Sequence, residues 1–171
     1  MKKLLLAMVA IFIFVSCGNS TTDKNEITEK INTVYENQAS IYDRTIDSSL
    51  FSEDLMRLMN RMVTVTQLDE ERIKNSEYPT EKPVVLEGSV FSSLYDGYTS
   101  FEINKVKIDG DKAEAIVDFK FESPNNESWS DTVELINENG WKIDNIIFSD
   151  KYESYTDLKQ KLTVVAEEFV E

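Results

Sequence analysis

The chain has 171 residues, enough for one domain with a substantial core, and sets 32 acidic against 18 basic side chains. A net charge of −14 repels nucleic acid and anionic lipid head groups, so neither is expected as a partner. Histidine is absent and cysteine occurs once. That removes the commonest acid–base side chain near neutral pH and, with it, ordinary zinc and copper centres.

Lys2 and Lys3 precede twelve uncharged, mostly apolar residues, Leu4 to Val15, and then Ser16-Cys17-Gly18. A positive start, a short apolar run and a small residue before the break form a secretory signal. Twelve residues make a helix of about 18 Å, short of a hydrocarbon core of roughly 30 Å, so the run does not read as a spanning anchor. Phe14-Val15-Ser16-Cys17 resembles a bacterial lipobox, with Phe14 where leucine is more usual. The resemblance implies removal of residues 1–16 and acylation of Cys17, which then anchors the chain in a membrane. Gly18 in place of aspartate resembles lipoproteins sent to an outer membrane. The plainer reading is an ordinary signal peptide with a stray thiol, but a lone cysteine has no partner for an intrachain disulfide. Without Lys2 and Lys3 the remaining domain carries a net charge of about −16.

Residues 17–25 read as a short polar tether, and 26–171 as a single domain. Asp23 and Glu26 suit a capping box, and Ile27, Ile31, Val34, Tyr35 and Tyr42 recur at helical spacing, so a first helix is expected over 25–44. Thr45 to Phe51 connects it to a second, opened by Ser52-Glu53-Asp54 and running to about Ile73. Its methionines (Met56, Met59, Met62) suit either an adaptable binding surface or a core-facing stripe, and the stripe is the simpler account. After a polar loop from Lys74, Pro83-Val84-Val85-Leu86 reads as a short edge strand, and Ser92 to Tyr98 as a turn.

The stretch Phe101 to Phe148 reads as an antiparallel meander. Ala113, Ala115, Val117, Phe119 and Phe121 alternate with Glu114, Ile116, Asp118 and Lys120, the period of a strand with one buried face. Asp109-Gly110-Asp111, Pro124-Asn125-Asn126 and Asn137-Glu138-Asn139-Gly140 are the turns. Ser154 and Asp157 suit a cap for a last helix with Leu158, Leu162, Val165, Ala166 and Phe169 as its stripe.

The expected fold class is α+β: N-terminal helices packed on a curved antiparallel sheet, with a short C-terminal helix. With Gly140-Trp141-Lys142-Ile143-Asp144-Asn145-Ile146 closing the last strand, the chain resembles the cystatin-like or nuclear transport factor 2-like cone. More narrowly it is similar to a family of uncharacterised bacterial envelope lipoproteins with that fold. Some members of related families serve as immunity proteins against toxins secreted into the periplasm. Catalytic members of the superfamily use an Asp–His or Asp–Tyr pair in a pocket between helix and sheet. The first pair is impossible without histidine. For the second, Tyr95, Asp96, Tyr98, Asp118 and Asp131 supply residue types without a diagnostic spacing. Alternation turns Asp118 toward solvent, and Asp131 shares a face with Trp129 at what reads as a pocket rim.

Oxygen-rich turns at 109–111 and 137–140 lack the continuation of a calcium loop. Asp131-Thr132-Val133 resembles an acceptor triplet for O-glycosylation in some envelope bacteria, but it falls within a strand. The sequence calls for no cofactor and no metal. Two functional expectations follow. One is a non-catalytic, membrane-anchored envelope module that binds a protein or peptide, an immunity-type inhibitor being one version. The alternative is a small-ligand binder whose pocket is lined by Tyr95, Asp96, Trp129, Asp131 and Trp141.

Overall fold

A computed structural model of the chain describes residues 20–43, 46–122 and 126–168. The leader, Cys17, the turn residues Pro124 and Asn125, and Phe169 lie outside the described residues. The fold is α+β, with three α-helices and one four-stranded antiparallel sheet among the described residues. Helix α1 spans Ser20–Glu36 and α2 spans Glu53–Lys74, with one 3-10 turn between them. Strands β1 (Ser100–Asp109), β2 (Lys112–Phe121), β3 (Glu127–Asn137) and β4 (Trp141–Ile147) pair in sequence order, and α3 (Leu158–Glu168) follows.

The sheet has one oily face. Ala113, Ala115, Val117 and Phe119 of β2 and Trp129, Asp131, Val133 and Leu135 of β3 are buried, while the residues alternating with them are more exposed. Helix α1 lies over that face with Ile27, Ile31, Val34 and Tyr35, each at most 1% exposed, and contacts both β4 and β1. From α2, Leu55, Met59 and Met62 join the same cluster, and α3 adds Leu158, Leu162 and Ala166. Met59 and Met62 are therefore core residues. The face turned away from the helices is polar, and Asp118 lies there, accepting from Ser130 Oγ at 2.5 Å and Asn104 Nδ2 at 2.8 Å.

Three expectations about the first half of the chain are corrected. Helix α1 begins at Ser20, so the part of the expected tether from Ser20 to Asn25 is helical, and Asp23 lies inside the helix instead of capping it. The helix also stops at Glu36, well before residue 44. Gln38 takes a left-handed conformation (φ 45°), Ala39 N–H donates to Val34 O at 3.1 Å and Gln38 N–H to Tyr35 O at 3.3 Å. This is the terminating pattern usually carried by glycine, with glutamine in its place. Finally, Pro83 to Leu86 is not a strand. Its backbone is held by side chains: Val84 N–H donates to Asp69 Oδ2 (2.7 Å), Thr66 Oγ1 donates to Val84 O (2.8 Å), and Leu86 N–H donates to the Tyr42 hydroxyl (2.8 Å).

Ser52 opens α2 as expected, its Oγ accepting from Leu55 N–H at 3.1 Å. It also joins three elements. Its N–H donates to Ile143 O of β4 at 2.9 Å, and its Oγ donates to Asp144 at 2.6 Å. Asp144 is the residue skipped in the β3–β4 register, so it turns toward the sheet edge, where Lys159 of α3 reaches it at 2.8 Å and Asp54 at 3.0 Å. At the start of α3 the cap is Asp157 and not Ser154. Gln160 N–H donates to Asp157 Oδ1 at 2.9 Å, while Gln160 Oε1 accepts from Thr156 N–H at 2.7 Å. Replacing Ser52 with alanine removes a helix cap and the bond to Asp144 together. A loss of about 1–2 kcal/mol is expected, read as a lowered urea midpoint at unchanged slope.

Candidate functional site

The five side chains singled out for ligand binding fall into three places. Trp129 and Asp131 are neighbours on the inner face of β3 and are buried, at 6% and 1% exposure. Trp141 is also buried, beside the β3–β4 turn, where its position pairs with Asn137. Eight residues of strand separate that end from Trp129, roughly 27 Å. Tyr95 and Asp96 are exposed in the loop before β1. They do not form one pocket.

Asp131 is not on a rim. Its carboxylate accepts from Ser93 N–H (2.9 Å), from the Ser93 hydroxyl, from Ser149 N–H (3.0 Å) and from Trp129 Nε1–H (3.3 Å). Ser149 N–H also donates to Ser93 Oγ at 2.8 Å. One carboxylate thus ties the loop before β1, strand β3 and the turn after β4. Burial pushes its pKa above the ordinary carboxylate range, and the donors from Ser93, Ser149 and Trp129 pull against that shift without cancelling it. Sequence reasoning found Asp131 and Trp129 but missed Ser93, because a serine in a Ser-Ser loop carries no signal of which hydroxyl turns inward.

Trp141 belongs to the other end of α1. Its backbone N–H donates to Glu26 Oε1 at 2.9 Å and its indole N–H to Asp23 Oδ1 at 3.2 Å. The pair read as a capping box thus clamps the first helix to the start of β4. Between the clamp and the loop end, the space under α1 is filled. Tyr35 stacks edge-on against Phe119 (ring centroids 5.0 Å) and Tyr98 (5.8 Å), and Phe119 lies parallel to Trp129 at 5.4 Å. The Tyr35 hydroxyl donates to Phe91 O at 3.1 Å, and that of Tyr98 to Tyr35 O at 2.7 Å. Burial pushes the Tyr98 hydroxyl up to about 12, so it remains a donor at any physiological pH.

Tyr95 and Asp96 border a hollow of about 310 Å³ between the end of α1 and the loop Gly88–Tyr98. Buried Val34, Val90 and Phe91 line it together with polar Gln38, Ser40 and Ser89. The loop is braced by Ser89 N–H donating to Tyr95 O (2.9 Å) and Gly97 N–H to Leu94 O (2.9 Å). Gly88 is required here. At φ 75°, an added Cβ would stand 2.6 Å from Tyr95 O and 2.7 Å from the Tyr95 ring. The Tyr95 hydroxyl donates to Glu87 at 3.1 Å, leaving the ring 58% exposed.

Asp96 and Asp131, the two candidate carboxylates of this region, stand in unlike surroundings. Asp131 has its donors in place but no surface a substrate could reach, while Asp96 is reachable and sits in the open. Among the described residues no group of three or more Asp, Glu, His or Cys stands close enough to hold a metal ion, and no helix is long and apolar enough to cross a membrane. Comparison with protein-family models, with curated proteins and with solved structures finds no match to this chain.

Asp131→Ala leaves the N–H groups of Ser93, Ser149 and Trp129 without their acceptor, and a loss of about 3 kcal/mol or more is expected in urea unfolding. Asp131→Asn tests the charge. Because the folded pKa is raised, the carboxyl's contribution is fully present below the unfolded value of 3.8 and declines as pH rises through the folded value. The stability of the wild type relative to the asparagine variant should therefore fall as pH rises above the unfolded value through the raised folded one.

Proposed function

We propose that this chain is a lipid-anchored module of a bacterial envelope, held in the membrane through acylated Cys17, that recognises a protein or peptide partner without catalysing a reaction. The observation that carries the non-catalytic part is the filling of the space between α1 and the sheet. Where a cone-type enzyme keeps an open pocket, Tyr35, Tyr98, Phe119 and Trp129 pack ring on ring. The cone-like assignment itself draws support from a four-stranded meander with one face covered by α1. The strong acid excess favours a partner with a basic surface, as an immunity-type inhibitor of a cationic toxin would need.

The anchor rests on the sequence around Cys17. Mass spectrometry of the native protein is expected to give a chain that begins at Cys17 and carries acyl groups. Cys17→Ser should move the protein from the membrane to the soluble fraction, and an unchanged distribution would sink the anchor. Affinity capture from solubilised envelope with the unlipidated domain should recover one partner, lost at high salt. Failure to recover any specific partner across salt conditions would count against the binding role.

The hollow beside Tyr95 and Asp96 favours a second reading, a small-ligand binder using that surface and not the interior of the cone. A metabolite present at 100 times its dissociation constant would stabilise the fold by about 2.7 kcal/mol, so a thermal-shift screen reads it directly. A flat screen leaves the protein-partner reading alone.

A further inference from the structure

We infer that the hollow between the end of α1 and the loop Gly88–Tyr98 is a receptor for a single cationic side chain, an arginine above all, presented by the partner. This deepens the recognition reading above and rests on it. The volume sets the class of occupant. At about 310 Å³ it is at the small end of ligand sites, which suits one side chain or head group better than a drug-sized molecule.

The chemistry of the walls sets the charge. Asp96 lines the hollow, and its carboxylate makes no hydrogen bond or ion pair among the described residues. The Gln38 amide beside the same space is likewise unengaged, and none of the described residues lining the hollow is a lysine or arginine. An unneutralised carboxylate in a domain with this acid excess attracts a cation, and the lysine near the Tyr95 hydroxyl, Lys82, is paired with Glu87 at 3.4 Å.

The shape distinguishes arginine. Buried Val34, Val90 and Phe91 offer apolar contact for an alkyl stem. Tyr95, with Gly88 against one side of its ring, keeps an aromatic surface open beside Asp96. A planar guanidinium can bond a carboxylate and lie against such a ring together, whereas an ammonium acts as a point charge. The walls are also fixed before anything binds. Ser93 is tied to Asp131, the Phe91 carbonyl to the Tyr35 hydroxyl, and the Tyr95 carbonyl to Ser89 N–H, so little ordering cost falls on the binding step.

Position agrees with this use. Two residues separate Cys17 from the first residue of α1, and the hollow lies at the far end of that helix, about 24 Å further on. In an anchored molecule it would be held clear of the bilayer, where an incoming protein meets it first.

The test uses the full lipidated protein in detergent micelles and two probes, N-acetyl-arginine amide and its neutral isostere N-acetyl-citrulline amide, followed by saturation-transfer NMR. The arginine probe should bind saturably, with the citrulline probe at least about fivefold weaker. Asp96→Asn, at an exposed position, should weaken arginine binding about fivefold to tenfold without changing the thermal midpoint. Ser89→Trp, which fills the hollow and leaves Asp96 in place, should abolish it. Equal binding of the two probes, no saturable binding, or an unaffected Asp96→Asn variant would overturn the assignment. Capture of an envelope partner equally by wild type and Asp96→Asn would place recognition elsewhere and overturn it as well. Arginine binding without any envelope partner would uphold the hollow and sink the broader reading.

Discussion

The fold depends on a carboxylate in a place where carboxylates are expensive. Asp131 sits on the inner face of β3 between Trp129 and Val133, at a position that alternation assigns to the core. An isolated charge there would cost several kcal/mol, and the fold offsets it by converging donors on its two oxygens from Ser93, Ser149 and Trp129. In return, the loop before β1 and the turn after β4 are joined to each other and to the sheet through one side chain. That joint adds to the hold on the loop carrying Tyr95 and Asp96, whose Val90 and Phe91 are buried and whose Phe91 carbonyl accepts from the Tyr35 hydroxyl.

The same economy governs α1. A sheet with one oily face needs a cover, and a single helix of 17 residues reaches across it only if both of its ends are held. At one end Asp23 and Glu26 take the two N–H groups of Trp141. At the other, Tyr35 is surrounded by Tyr98, Phe101 and Phe119 and spends its hydroxyl on Phe91 O. Burial pushes the Tyr35 pKa well above that of a free phenol, so the group stays neutral and the aromatic cluster carries no charge. With the cover pinned at both ends over a filled interior, the proposed recognition falls to the surface, where the hollow beside the helix end keeps polar groups unspent.

What was legible in the sequence follows from which signals are local. Period-two alternation gave β2, because every second residue reports its own burial. The Ser52 cap was legible because hydroxyl and acidic residues sit side by side at the helix start. The stop of α1 was not, since a glutamine in the left-handed conformation leaves no mark where a glycine would. Tyr42 falls at helical spacing by coincidence and serves the loop at Leu86 instead. Val84 and Val85 look like a strand, yet Asp69 and Thr66 of α2 supply the partners a neighbouring strand would have supplied. Asp131 shows the limit most clearly. Alternation puts it with Val133 and Leu135, but only tertiary structure brings Ser93 and Ser149 to meet it.

The two rims of the sheet are treated differently. The outer side of β4 is closed at both ends, by Phe51 and Ser52 on Ile143 and by the pairing of Ile147 with Asp157. Among the described residues no strand pairs with the outer side of β1, whose register breaks at Asn104 and which carries Lys105 and Lys107. Molecules confined to a plane collide side to side far more often than molecules free in three dimensions. A sheet with one sealed rim and one kinked, lysine-studded rim gives a neighbouring strand little flat edge to extend, which on the proposed anchoring would disfavour strand-to-strand pairing between crowded copies.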